Sequence, residues 1–134
     1  MGYPEIIQGG MGVGVSGWRL ARAVASAGQL GVVSGTALDI LLARRLQLGD
    51  PEGHLRGAIA RFPDQEIAAR VLRRYFVPGG IGPAARFARL PLPAVDLPRE
   101  LVELNVLANF VEVDLARQGH DGRVGINYLE KIQL

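Results

Sequence analysis

Residues 4–28 read PEIIQGGMGVGVSGWRLARAVASAG, a short apolar run, five glycines between positions 9 and 17, a single methionine and then a helical pattern. The run EIIQ at 5–8, closed by glycines, fits a buried parallel strand, because a strand covered on both faces needs no alternation of polar residues. Ser16 stands where a helix N-cap belongs. Trp18, Leu20, Ala21, Val24 and Ala25 then give the helix an apolar face, opposite Arg19, Arg22 and Ser26. Gly28 supplies a left-handed stop. The next run, LGVVSG at 30–35, is short, β-branched and bounded by glycine, so strand, glycine turn, helix and strand form a βαβ unit.

Outward from this unit the pattern turns helical. Thr36 and Asp39 have capping-box spacing before ILLARRLQL, which Gly49 ends. Asp50-Pro51 opens a short helix with proline at its first position, and Asp64 opens another in which Ile67, Val71 and Tyr75 recur every fourth residue. Between Pro78 and Pro98, five prolines and three glycines with little periodicity predict a surface excursion. Leu101, Leu104, Ala108, Val111 and Leu115 line one face of a long helix, with Glu100 and Glu103 near its start and Arg117 near its end, as the helix dipole favours. After Gly119, the Asp121-Gly122 turn leads into RVGINYL at 123–129, a third strand. The reading is α/β: one domain over 1–134 with a helical and proline-rich insertion at about 38–97. Three parallel strands need cover or closure. The expectation is therefore the N-terminal part of a larger protein that continues beyond residue 134.

Composition removes several functions. With 49% apolar and 21% charged residues the chain is globular, and the absence of cysteine excludes disulfides, thiolate metal sites and thiol nucleophiles. Only His54 and His120 are present, too few for a histidine metal cluster. Fourteen arginines and one lysine give a net charge of only +2, spread along several helices without interleaved aromatics, which argues against a nucleic-acid partner. No apolar run is long enough for a membrane span and no signal-peptide pattern is present, so a cytoplasmic protein is expected.

The glycines admit two readings. The segment GMGVG at 10–14 is not a clean G-x-G-x-x-G with an acidic ribose ligand, since Asp39 is already explained as a cap, and no Gly-Lys-Ser/Thr exists for a P-loop. Bare backbone beside a soft methionine suits a flat ligand, with flavin the natural candidate; a tight strand-to-helix turn explains the same residues.

The stretch from Pro4 through SGTAL resembles the N-terminus of the nitronate monooxygenase family, also called 2-nitropropane dioxygenases. The shared features are an initial proline and strand, a Gln-x-x-Met-like element, the glycine turn, the helix and an AGGLG element, here Ala27-Gly28-Gln29-Leu30-Gly31 with Gln29 replacing a glycine. Gly125-Ile126-Asn127 is similar to the family's Gly-Val-Asn. The resemblance covers 4–36 and 123–128, and it implies an FMN-dependent (β/α)8 TIM barrel of which this chain holds about the first three strands.

Strand C-terminal ends carry the ligands in such barrels. The resemblance thus implies a cofactor site of Gln8, Gly9, Gly10, Met11, Gly12, Ser34, Gly35 and Asn127. The Gly9–Gly12 backbone would face the isoalloxazine ring and the Asn127 amide its polar edge; a capping or turn role for Asn127 is the alternative. The implied reaction oxidises an alkyl nitronate with O2 to a carbonyl compound and nitrite. No residue matches the family's histidine base, so the catalytic residue is unknown and the fragment alone is expected to be inactive. His120 precedes the third strand and reads as a loop residue. His54 reads as solvent-facing, and Glu130 and Lys131 as surface charges. The long insertion is similar to that of flavin-dependent enoyl reductases, which makes an enoyl thioester the alternative substrate. A non-catalytic α/β module, binding a partner through its open sheet edge or its arginine-bearing helices, is the alternative outside enzymes.

Overall fold

The computed structural model describes residues 2–92 and 94–128. In chain order its elements are α1 (Trp18–Ser26), β1 (Gly31–Ser34), α2 (Leu38–Gln47), α3 (His54–Ala60), α4 (Gln65–Tyr75), α5 (Arg99–Arg117) and β2 (Val124–Asn127). They fall into two compact units. The first comprises the residues up to Leu38 together with those from Glu112 onward, and the second Asp39–Val111.

The partial TIM barrel expected from the sequence is not formed. Among the described residues β1 and β2 make one open, two-stranded parallel sheet, with Gly31 opposite Val124 and Ser34 opposite Asn127. The expected first strand at 5–8 shrinks to a single parallel bridge between Ile7 and Leu30. The cause lies in two glutamines. Leu30 N donates to Ile6 O and Gln8 N to Leu30 O, so the next ladder bond would run from Val32 N to the Gln8 carbonyl. Val32 N instead donates to the Gln8 side chain, Oε1, at 3.0 Å. At the other end Glu5 N and Ile6 N both donate to Gln29 Oε1, at 3.0 and 2.9 Å. Ile6 and Ile7, expected to be buried, are 61% and 65% exposed.

In the first unit α1 buries Trp18, Ala21 and Ala25 with Val32 and Val33 of β1 and Leu115 and Ala116 at the end of α5. Gly28 and Gly119 take left-handed backbone just after their helices, as their positions in the sequence imply.

The second unit is helical. Leu42, Leu46, Leu55, Ile59, Phe62, Val71, Tyr75, Leu104 and Leu107 form its core. Asp64 caps α4 as its spacing predicts, Oδ1 accepting from Glu66 N and Ile67 N at 3.1 and 3.2 Å. The third helix starts later than Asp50-Pro51 suggests, at His54 after Gly53. Residues 76–98 carry no helix or strand among those described, and Ala88 N donates to Gln47 Oε1 at 2.7 Å to hold this excursion against α2. No helix among the described residues is long and apolar enough to cross a membrane.

Glu103 is the charged centre of this unit. Its carboxylate accepts from Arg70 Nε and Nη2 at 3.0 and 2.8 Å and from Arg99 Nε at 2.9 Å. The Arg70 hydrogen bonds, aided by Arg99 and opposed by burial, hold the Glu103 carboxyl below its ordinary value. Because the folded value lies below the unfolded one, this stabilisation is full above the unfolded carboxylate range, about 4.3, and is lost as pH falls through the folded value. Urea unfolding midpoints measured from neutral to acid pH should therefore fall more steeply for the native chain than for Glu103→Gln. Parallel acid limbs would refute this.

Candidate ligand site at the glycine turn

The turn between the Ile7 bridge and α1 is closed by its own backbone. Gly12 and Gly14 have φ of 86° and 70°, and Val15 N and Ser16 N both donate to Gly12 O. Only residues without a Cβ adopt such angles at little cost. Three further bonds fix the turn and the strand ends: one joins the two, one closes the strands and one lies within the turn. Ser34 N donates to Ser16 O at 2.8 Å, Gly35 N to Asn127 O at 2.8 Å, and the Ser16 hydroxyl to Gly9 O at 3.1 Å. Ser16 is therefore not the N-cap of α1. Gly17 holds that position without a side-chain cap bond.

The residues expected to form a site converge at the C-terminal ends of β1 and β2. Asn127 Nδ2 donates to Gly10 O at 3.0 Å and lies 3.5 Å from Met11 Sδ. Ser34 stands opposite Asn127 in register and is buried. A Cβ on Gly10 would run into Val32 Cγ1, and one on Gly35 would come within 2.7 Å of the Tyr128 ring. Val32 is buried, so Gly10 is required by packing, whereas the exposed Tyr128 ring can turn aside from Gly35. Around Gly9 no atom lies within 4 Å of an added Cβ, and beside it Met11 is 57% exposed. Gly9 and Met11 are where the turn presents itself outward.

One buried polar atom remains unsatisfied here. Gln8 Nε2 is buried and has no partner. The amide cannot be reversed to cure this, because Val32 N needs Oε1 where it stands. Such an orphaned donor costs about 1–3 kcal/mol. Asn127, by contrast, is half-buried and anchored through Nδ2. Gln8 offers a donor within the turn, and Asn127 an amide oxygen at the end of β2.

Comparison with protein-family models, curated proteins and solved structures yields no match.

One residue of this region was not singled out from the sequence. Glu112 of α5 is 3% exposed, and its Oε1 accepts from Trp18 N, the first residue of α1, at 2.9 Å. The available signal was its place four residues after Ala108, in the stripe of Leu104 and Ala108 that should be wholly apolar.

The histidines lie elsewhere. His120 Nδ1 accepts from Gly122 N at 2.9 Å, so Nε2 carries the proton and donates to Ala116 O, 2.6 Å away. It closes the end of α5 as a capping loop residue. Together with Pro4, Gln29 and Arg123 it borders a cavity of about 250 Å³ at the N-terminal ends of the strands, opposite the site. His54, in the second unit, faces Glu52 at 2.8 Å with 45% of its side chain exposed. Glu130 and Lys131 lie outside the described residues. Among the described residues no group of three or more His, Cys, Asp or Glu could hold a metal ion.

Proposed function

We propose that the glycine turn is the wall against which the ring of FMN rests, and that the chain serves an oxidoreductase of the nitronate monooxygenase type. The observation that carries this reading is the buried, partnerless Gln8 Nε2 donor in the same turn as the open Gly9 backbone and the exposed Met11, with the Asn127 amide bonded to Gly10 O. An isoalloxazine edge presents carbonyl oxygens and a ring N–H side by side, so it complements one donor and one acceptor. Methionine sulfur packs well against an aromatic face.

When bound, the flavin supplies the electron transfer between nitronate and oxygen. The residues of this chain bind and orient. Asn127 holds the turn through Gly10 O while its Oδ1 faces the ligand, and Gln8 satisfies its buried donor on a ring carbonyl. None of the eight site residues is a base, and the reading assigns catalysis of proton transfer to none of them. A cytoplasmic setting and a small nitronate or enoyl thioester substrate are part of the same proposal.

Quenching of FMN and lumiflavin fluorescence by the full chain tests it. Saturable quenching by the native chain, weakened about tenfold or more in Asn127→Leu, is expected from the loss of polar partners worth about 1–3 kcal/mol. Absence of saturable quenching up to millimolar flavin would refute the reading. That outcome would favour the interaction module, for which the exposed Ile6, Ile7, Val15 and Tyr128 are the supporting observation.

A further inference from the structure

A helix that follows a parallel strand and a glycine turn normally offers its first N–H groups and the positive end of its dipole to a phosphate. In α1 that seat is filled from within the chain. Glu112 Oε1 lies 2.9 Å from Trp18 N, and the carboxylate is almost wholly removed from solvent. Gly17 eases the approach, because a Cβ there would stand in tight contact, 3.2 Å, with the same oxygen. The N-cap contributes no side-chain bond of its own, and the first turn of α1 contains no acid, so Glu112 takes the place of both.

We infer that Glu112 is a specificity-determining residue that acts as a built-in anion at the start of α1 and bars phosphate from the glycine turn. The portion of any ligand lying at Gly17 and the start of α1 is then uncharged. Two negative groups competing for one set of N–H donors in a water-poor site repel strongly, since Coulomb energy rises as the dielectric falls. The inference stands without the flavin reading. Combined with it, the inference places the uncharged ring of FMN, rather than its phosphate tail, on the turn.

Trp18 is the sole tryptophan and the first residue of α1, and the Arg19 guanidinium lies 4.4 Å from its ring centroid. Its emission reports on this helix end. The full chain is titrated with inorganic phosphate at constant ionic strength, as native protein, Glu112→Gln and Glu112→Asp. The glutamine keeps an oxygen acceptor for Trp18 N and removes the charge; the aspartate keeps the charge. A saturable phosphate response in Glu112→Gln, at least tenfold tighter than any in the native chain or Glu112→Asp, is the expected result. Equal phosphate affinity in the native chain and Glu112→Gln overturns the inference. Should far-UV circular dichroism show Glu112→Gln unfolded, the native chain decides. A saturable response to phosphate that sulfate competes away overturns the inference, and its absence supports it. No flavin enters these titrations, so a failure of flavin binding strikes the proposed function alone.

Discussion

Gly31→Ala should destabilise the first unit by about 3 kcal/mol, the upper end of what overpacking a well-packed contact costs. Gly31 opens β1, is buried, and a Cβ there would run into the backbone carbonyl of Ala21 on α1. Gly122 meets the carbonyl of Ala25, one helical turn further along, in the same way. A side chain in the way can rotate aside; a backbone carbonyl cannot. The helix must retreat as a body, withdrawing Trp18, Ala21 and Ala25 from Val33. Urea unfolding followed by Trp18 emission measures the loss. Gly28→Ala is the control, since it has open space around an added Cβ and only its φ of 83° to strain it, a cost of about 1 kcal/mol. If Gly31→Ala unfolds within about 0.5 kcal/mol of the native chain, the close helix–strand approach is wrong. A displaced β1 would also carry Ser34 away from Ser16 O, so the flavin binding we propose should be lost with it.

In the second unit the largest single loss is expected from Asp50→Ala, again about 3 kcal/mol, combining a helix cap worth about 0.5–2 with charged hydrogen bonds worth about 1.5–3 each. Asp50 is only 6% exposed and sits at a φ of 43°. Its carboxylate accepts from Leu55 N at 3.2 Å and from Arg56 N at 2.9 Å, and Arg56 Nε adds a further bond at 3.1 Å. That pins the guanidinium 5.0 Å from the Phe76 ring centroid. Alanine loses every one of these acceptors and tolerates the left-handed backbone less well than aspartate. Asparagine in its place would keep one acceptor and the same backbone tolerance, so Asp50→Asn should lose less than half as much. Far-UV circular dichroism during urea unfolding distinguishes the two, and equal losses would show that the charge carries the whole effect.

Much of the local structure was legible because it depends on near neighbours. Gly28, Gly49 and Gly119 take left-handed backbone after α1, α2 and α5, and Asp64 caps α4 two and three residues ahead of itself. The apolar stripe from Leu101 to Leu115 marked α5, and the β-branched run at 30–35 marked β1. The residue types of the candidate site were chosen for a similar reason, since only glycine leaves backbone bare and an amide offers both a donor and an acceptor. Their sorting was not legible. Gly10 is glycine because Val32 and Asn127 crowd it, while Gly9 borders open space.

The failures share one cause. Hydrophobic pattern records which side chains avoid water, but a strand also needs a backbone partner at each rung, and pattern carries no information on that. Ile6 and Ile7 have the apolar character of a buried strand, yet the side chains of Gln8 and Gln29 capture the donors that a longer ladder requires. The cap of α1 shows the same limit. Ser16 stood in the right place along the chain, but its hydroxyl turns to Gly9 O, and the acceptor for Trp18 N comes from Glu112, 94 residues away. Conformation that a residue imposes on its own neighbours can be read from the chain, whereas a hydrogen bond contested between a near and a distant acceptor is resolved only when folding brings both within reach.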